Sequence, residues 1–109
     1  MNPDRAADLP AFSAVLLAAG TSSRMQGRHK LLLPVGGEAA VRRTARALLA
    51  AGPREVVVVT GFNGRAIVNA LDGLPLRFQF NPCYADGQMT SVAAGVASLN
   101  LNTDRVLIQ

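Results

Sequence analysis

The sequence predicts an α/β fold: a Rossmann-like three-layer sandwich with a mostly parallel sheet. Three observations carry this expectation. The run Val56-Val57-Val58-Val59-Thr60 is continuously apolar and β-branched, the pattern of a strand buried on both faces. Strand-like and helix-like segments alternate along the chain in the order β-α-β-α-β-α-β, which argues for a parallel sheet with helices on both sides. A long loop, Ala18 to Pro34, leaves the first strand, and long loops in compact domains are usually functional.

Residues 1–11 read as a flexible N-terminal tail, and residues 12–109 as a single domain. Ser13 to Leu17 is the first predicted strand. Gly36-Gly37 marks a turn. Helical spacing begins at Glu38, with Ala40, Val41, Thr44, Ala45, Leu48 and Leu49 on one face and Arg42, Arg43 and Arg46 on a solvated one. Glu38 suits the helix dipole at that end, and Gly52-Pro53 stops the helix. Val56 to Thr60 is the second strand, closed by Gly61. Arg65 to Leu71 reads as a short helix and Leu76 to Phe80 as a third strand, broken by Asn81-Pro82. A last helix is expected over Gln88 to Leu99 with Met89, Val92, Ala93 and Val96 inward, and a fourth strand over Val106 to Ile108.

Composition narrows the function classes. Half of the 109 residues are hydrophobic and 17% are charged, which suits a globular chain. The 11 basic and 7 acidic residues leave a net charge of +4, which suits an anionic ligand. The basic residues are scattered, and one Tyr and four Phe offer few stacking platforms, so no nucleic-acid partner is expected. No apolar run approaches the ~20 residues of a membrane span. The N-terminus lacks the apolar core of a signal peptide. Cys83 is the single cysteine, read as a small buried hydrophobe, and a cytoplasmic location is expected. His29 is the single histidine and reads as a solvated loop residue, so no His/Cys metal site is expected.

The chemistry concentrates after the first strand. Leu17-Ala18-Ala19-Gly20-Thr21-Ser22-Ser23-Arg24-Met25 is a loop of small and hydroxyl residues, with a second cation at Lys30. Small residues let the backbone approach a ligand and aim its N–H groups at anionic oxygens. Arg24 adds a planar fork and Lys30 a point charge. No Gly-Lys-Ser/Thr follows the strand, and the next glycine after Gly20 is Gly27, so neither a Walker A loop nor the dinucleotide fingerprint is present. In open sheets of this type ligands bind beyond the carboxyl ends of the strands. The 18–30 loop, the 61–64 turn and the 81–91 segment all leave such ends and are expected to converge.

The pattern Leu-Ala-Ala-Gly-x-Ser-x-Arg-Met, with a Lys five residues beyond, resembles the signature loop of the MobA-like nucleotidyltransferases. Ala18-Ala19-Gly20 resembles the cytidylyl-transferring molybdenum cofactor branch, whereas the guanylyl-transferring branch more usually reads Ala-Gly-Gly. A second segment, Asn81-Pro82-x-Tyr84-x-Asp86-Gly87-Gln88-Met89-x-Ser91, is similar to the family segment that closes over the nucleotide. The resemblance implies a sheet of the nucleotide-diphospho-sugar transferase type. It also implies nucleotide contacts at Leu17, Ala18, Ala19, Gly20, Ser22, Ser23, Arg24, Lys30, Gly61, Gly87, Met89 and Ser91, with Arg24 and Lys30 catalytic. The alternative for the second segment is a plain β-turn-α junction, with Asn81-Pro82 as the turn and Asp86 as the cap.

For the whole protein the resemblance implies transfer of CMP from CTP to the phosphate of molybdopterin, with pyrophosphate leaving. It also implies Mg2+, held in the family by the Asp of a Gly-Asp-x-Pro segment that would follow Gln109. The 109 residues are therefore expected to be an N-terminal nucleotide-binding portion, truncated after the fourth strand and binding nucleotide with little or no turnover. A homodimer through the open sheet edge is a further expectation. Other readings are a transferase using GTP or a sugar phosphate, and a non-catalytic nucleotide-binding or interaction module.

Overall fold

The all-valine run does lie at the heart of the molecule. In the computed structural model, which describes residues 12–19, 30–99 and 105–109, Val56–Thr60 is a strand with every residue buried. It is β4 in a chain ordered β1 (Phe12–Ala18), β2 (Pro34–Val35), β3 (Glu38–Ala39), α1 (Ala40–Ala50), β4, α2 (Gly64–Ala70), β5 (Arg77–Phe80), α3 (Gln88–Ala97) and β6 (Arg105–Ile108). The four-stranded sheet has the order β5-β4-β1-β6, with every pair parallel. The two central strands, β1 and β4, carry the continuous apolar sequences, as burial on both faces demands.

Alternate residues of those strands feed two cores. Ala14, Leu16, Ala18, Val56 and Val58 face α1 and α2, where they meet Val41, Ala45, Leu48, Ile67 and Leu71. Val15, Val57 and Val59 face the opposite layer, packing with Tyr84, Ala94 and Leu99. The expected three-layer α/β sandwich is thus the observed one, and the inward face of α1 is the expected face.

Several local expectations are corrected. The helix over Glu38 begins at Ala40, because Glu38-Ala39 pairs back onto Pro34-Val35 as a two-residue hairpin. Gly36 and Gly37 both take positive φ there, 61° and 88°, as a tight I′-type turn requires. Glu38 consequently caps nothing; its two oxygens lie 2.8 and 2.9 Å from one Arg46 nitrogen. Arg42 is only partly solvated. It reaches the carbonyls of Ala70 (3.2 Å) and Asp72 (2.8 Å), supplying donors to the C-terminal end of α2, which has no basic residue of its own.

The largest correction concerns α3. Met89 and Val96, expected inward, are 73% and 43% exposed, and Ala93, also expected inward, is exposed, while Ser91 and Gly95 are buried. The helix lies on the sheet through its smallest residue: a Cβ on Gly95 would collide with Val15 Cγ1 and lie 2.9 Å from Val59 Cγ2. Close approach of the helix backbone fixes the face here, rather than the size of the apolar side chains.

At the far edge β6 pairs with β1 alone among the described residues. Val106, Leu107 and Ile108 are each about two-fifths exposed (39%, 41% and 42%). A groove of about 410 Å3 runs beside this strand, lined by Thr44, Ala47, Leu48 and Ala51 of the α1 region together with Leu107. Among the described residues no helix is long and apolar enough to cross a membrane.

Candidate functional site

Register brings the loop origins together. Ala18 at the end of β1 is the partner of Thr60 at the end of β4, and Thr60 is the partner of Phe80 at the end of β5. Neighbouring strands lie about 4.8 Å apart, so the segments after these residues emerge side by side across about 10 Å. Backbone bonds tie them further. Phe62 N–H donates to Ala19 O (3.3 Å), and Asn81 N–H donates to Thr60 O (2.7 Å). Because β4 and β6 flank β1 on opposite sides, the chain leaves β1 where the strand order reverses. That is the place where open α/β sheets hold ligands.

The first predicted loop is only partly in view. Leu17 and Ala18 belong to β1, one residue longer than expected at that end, and Ala18 and Ala19 are buried. Gly20, Ser22, Ser23 and Arg24 lie outside the described residues, as does His29. Lys30, of which the backbone is described, opens a 3-10 turn over Lys30–Leu32. Leu31 and Leu32 pack against the core shared by α1 and α2 and so anchor this turn.

Gly61 follows β4 under the ring of Tyr84. A Cβ at Gly61 would lie 2.5 Å from Tyr84 Cβ and 2.6 Å from Cγ, so glycine is required there by contact. Gly87 is required by conformation: with φ 128° and ψ 157° it occupies a region essentially restricted to glycine. It precedes α3 as its N-cap without any side-chain cap bond, so Asp86, which ends the 3-10 turn Tyr84–Asp86, does not cap the helix. Met89 then projects from the first turn of α3, largely exposed.

Ser91, on the same turn, is buried and accepts a hydrogen bond from Asn81 Nδ2 (2.9 Å). Asn81 also donates to Thr90 Oγ1 (2.9 Å) and accepts from Cys83 N–H (2.9 Å). Sequence reasoning gave Asn81 a turn role only and gave Thr90 none. The one available signal was an Asn ahead of a Pro-containing turn, which marks an Asx-type bond but not a partner nine residues on. Cys83, expected to be buried, is exposed at this turn because its backbone, not its thiol, makes the contacts.

Magnesium, implied by the resemblance, does not find a site among these groups. No cluster of three or more His, Cys, Asp or Glu is placed to hold a metal ion among the described residues. Glu38 and Glu55 are engaged by Arg46 and Arg77.

Comparison with known proteins agrees with this architecture. The family model of the MobA-like NTP transferase domain matches residues 14–109. A solved nucleotidyl transferase from Methanothermobacter thermautotroptrophicus superposes with a TM-score of 0.79 at 32% identity, covering 90% of this chain and 50% of that one. A nicotine blue oxidoreductase from Paenarthrobacter nicotinovorans is 37% identical over 91 residues, 84% of this chain and 45% of its own length. A bifunctional IPC transferase and DIPP synthase from Rubrobacter xylanophilus is 38% identical over 104 residues, 91% of this chain and 24% of its own. The chain thus spans about half the length, or less, of these relatives.

Proposed function

Since this chain belongs to the MobA-like NTP transferase domain family, we propose that it is the nucleotide-binding part of a nucleotidyltransferase and that its nucleotide is CTP. The observation that carries the reading is the register Ala18–Thr60–Phe80, which starts three motif-bearing segments at one level of one sheet edge. In this reading the backbone of Leu17, Ala18, Ala19, Gly20, Ser22 and Ser23 cradles the phosphates, and Arg24 and Lys30 offset their charge. Gly61, Gly87, Met89 and Ser91 border the nucleoside. Met89 supports this role, being a large apolar side chain left open at the carboxyl end of the sheet.

For the whole protein, the reaction proposed is the one that the family resemblance implies. A phosphate oxygen of a molybdopterin-type acceptor attacks the α-phosphorus of CTP. The bond from that phosphorus to the oxygen bridging to the β-phosphate breaks, and pyrophosphate leaves with the electron pair. Positioning and charge neutralisation dominate such transfers, and both are backbone and cation tasks in this loop. We further propose a homodimer through β6, supported by the exposed Val106, Leu107 and Ile108.

A second reading, a transferase of another base or acceptor, is favoured by the match to the bifunctional IPC transferase and DIPP synthase. Titration calorimetry of the chain with CTP and with GTP, each with magnesium, separates the two. Binding of CTP at least tenfold tighter than GTP is expected. Equal affinities would favour the second reading, and binding of neither would overturn the nucleotide-site assignment for this chain.

A further inference from the structure

We propose that Asn81 is the positioning residue of this site, holding the start of α3 in its ligand-ready shape from the end of the sheet. The proposal rests on the reading of residues 87–91 as a nucleotide-bordering segment.

Asn81 is 3% exposed and ties three segments together. Its backbone N–H donates to Thr60 O at 2.7 Å, continuing the ladder of β4 and β5 by one rung. Its Oδ1 accepts from Cys83 N–H, fixing the turn beneath Tyr84. Its two Nδ2 protons go to Thr90 Oγ1 and Ser91 Oγ, both at 2.9 Å, on the first turn of α3.

The direction of each bond is determined. Thr90 Oγ1 lies 2.7 Å from Gly87 O and 3.0 Å from Cys83 O, and both carbonyls can only accept. The single Thr90 proton is therefore committed to a carbonyl, and towards Asn81 the hydroxyl must accept. Cys83 N–H can only donate. An amide is the group that offers one acceptor and two donors in this arrangement. Through Thr90 the network reaches Gly87, whose backbone conformation only glycine supports and which precedes the exposed Met89. Asn81 thus acts on the nucleotide through Thr90 and Ser91, not by touching it.

A positioning role predicts coupling between Asn81 and Thr90 in ligand affinity, whereas a purely structural role lowers stability and leaves the affinity of folded protein unchanged. The test is calorimetric titration with CTP and magnesium, well below the melting temperature, on the whole chain and on Asn81→Ala, Thr90→Val, Thr90→Ser and the Asn81→Ala/Thr90→Val pair. Asn81→Ala is expected to weaken binding at least tenfold and Thr90→Val several-fold. The pair is expected to bind no more weakly than Asn81→Ala, and Thr90→Ser, which keeps the hydroxyl, to retain near-native affinity. Should Asn81→Ala fail to fold, the Thr90→Val and Thr90→Ser comparison carries the test alone. Unchanged affinity with a lowered melting temperature, or additive losses in the pair, would overturn the positioning role while leaving the nucleotide site intact. Failure of the unaltered chain to bind CTP or GTP would overturn the site itself and this role with it.

Discussion

Tyr84 covers Gly61 so closely that a methyl group added to the glycine would fall 2.5 Å from the tyrosine Cβ. The turn after β4 and the turn after β5 are thus packed as one surface. Gly61 does not have a left-handed φ, so the cost of Gly61→Ala is contact rather than backbone strain. Overpacking of this kind costs about 1–3 kcal/mol. Urea denaturation of Gly61→Ala should show that loss. In a Tyr84→Ala background the same change should cost far less; an equal cost in both backgrounds would place the strain elsewhere.

Gly95 sets helix propensity against packing. In an isolated helix Gly→Ala gains about 1 kcal/mol. Here the added Cβ meets Val15 and Val59 on the central strands. Gly95→Ala is expected to destabilise the chain by about 1–3 kcal/mol despite the propensity gain. Shortening Val15 to Ala should make the glycine replacement less costly, and a thermal melt of the two single variants and the pair measures this directly.

The proposed phosphate-binding role of Arg24 and Lys30 carries the clearest binding prediction. A hydrogen bond between charged groups contributes about 1.5–3 kcal/mol, so Lys30→Ala or Arg24→Ala should weaken CTP binding about 10- to 100-fold. The loss should shrink as salt rises, since the unaltered site is itself screened. Unchanged affinity in Lys30→Ala would remove that residue from the site.

The β6 edge is testable without nucleotide. Val106, Leu107 and Ile108 are all partly exposed on a strand with one partner among the described residues. Ile108→Lys places a charge on that edge, a device that discourages strand pairing. Light scattering of the unaltered chain should give a mass that rises with concentration, and Ile108→Lys should hold it at the monomer value. A monomer at every concentration for the unaltered chain would dismiss the β6 dimer.

Much of the fold was legible in the sequence because local chemistry and tertiary burial agree there. The Val56–Thr60 run admits one reading at either level, and so does the α1 stripe of Val41, Ala45 and Leu48. The first strand is legible in the same way from its apolar run, which the structure extends to Ala18. Helix α3 was misread because it is apolar nearly all round: in Val92-Ala93-Ala94-Gly95-Val96 periodicity selects no face.

What the sequence determined by itself, then, is the alternation of strands and helices and the burial of β1 and β4. What only the tertiary structure decided is which groups meet. The packing of Tyr84 on Gly61 and the bonding of Asn81 to Thr90 and Ser91 join segments that local patterns treat separately. Periodicity reports how each segment divides between core and solvent. It is silent on distance between segments, which is set by strand register and by how closely a glycine lets one backbone approach another.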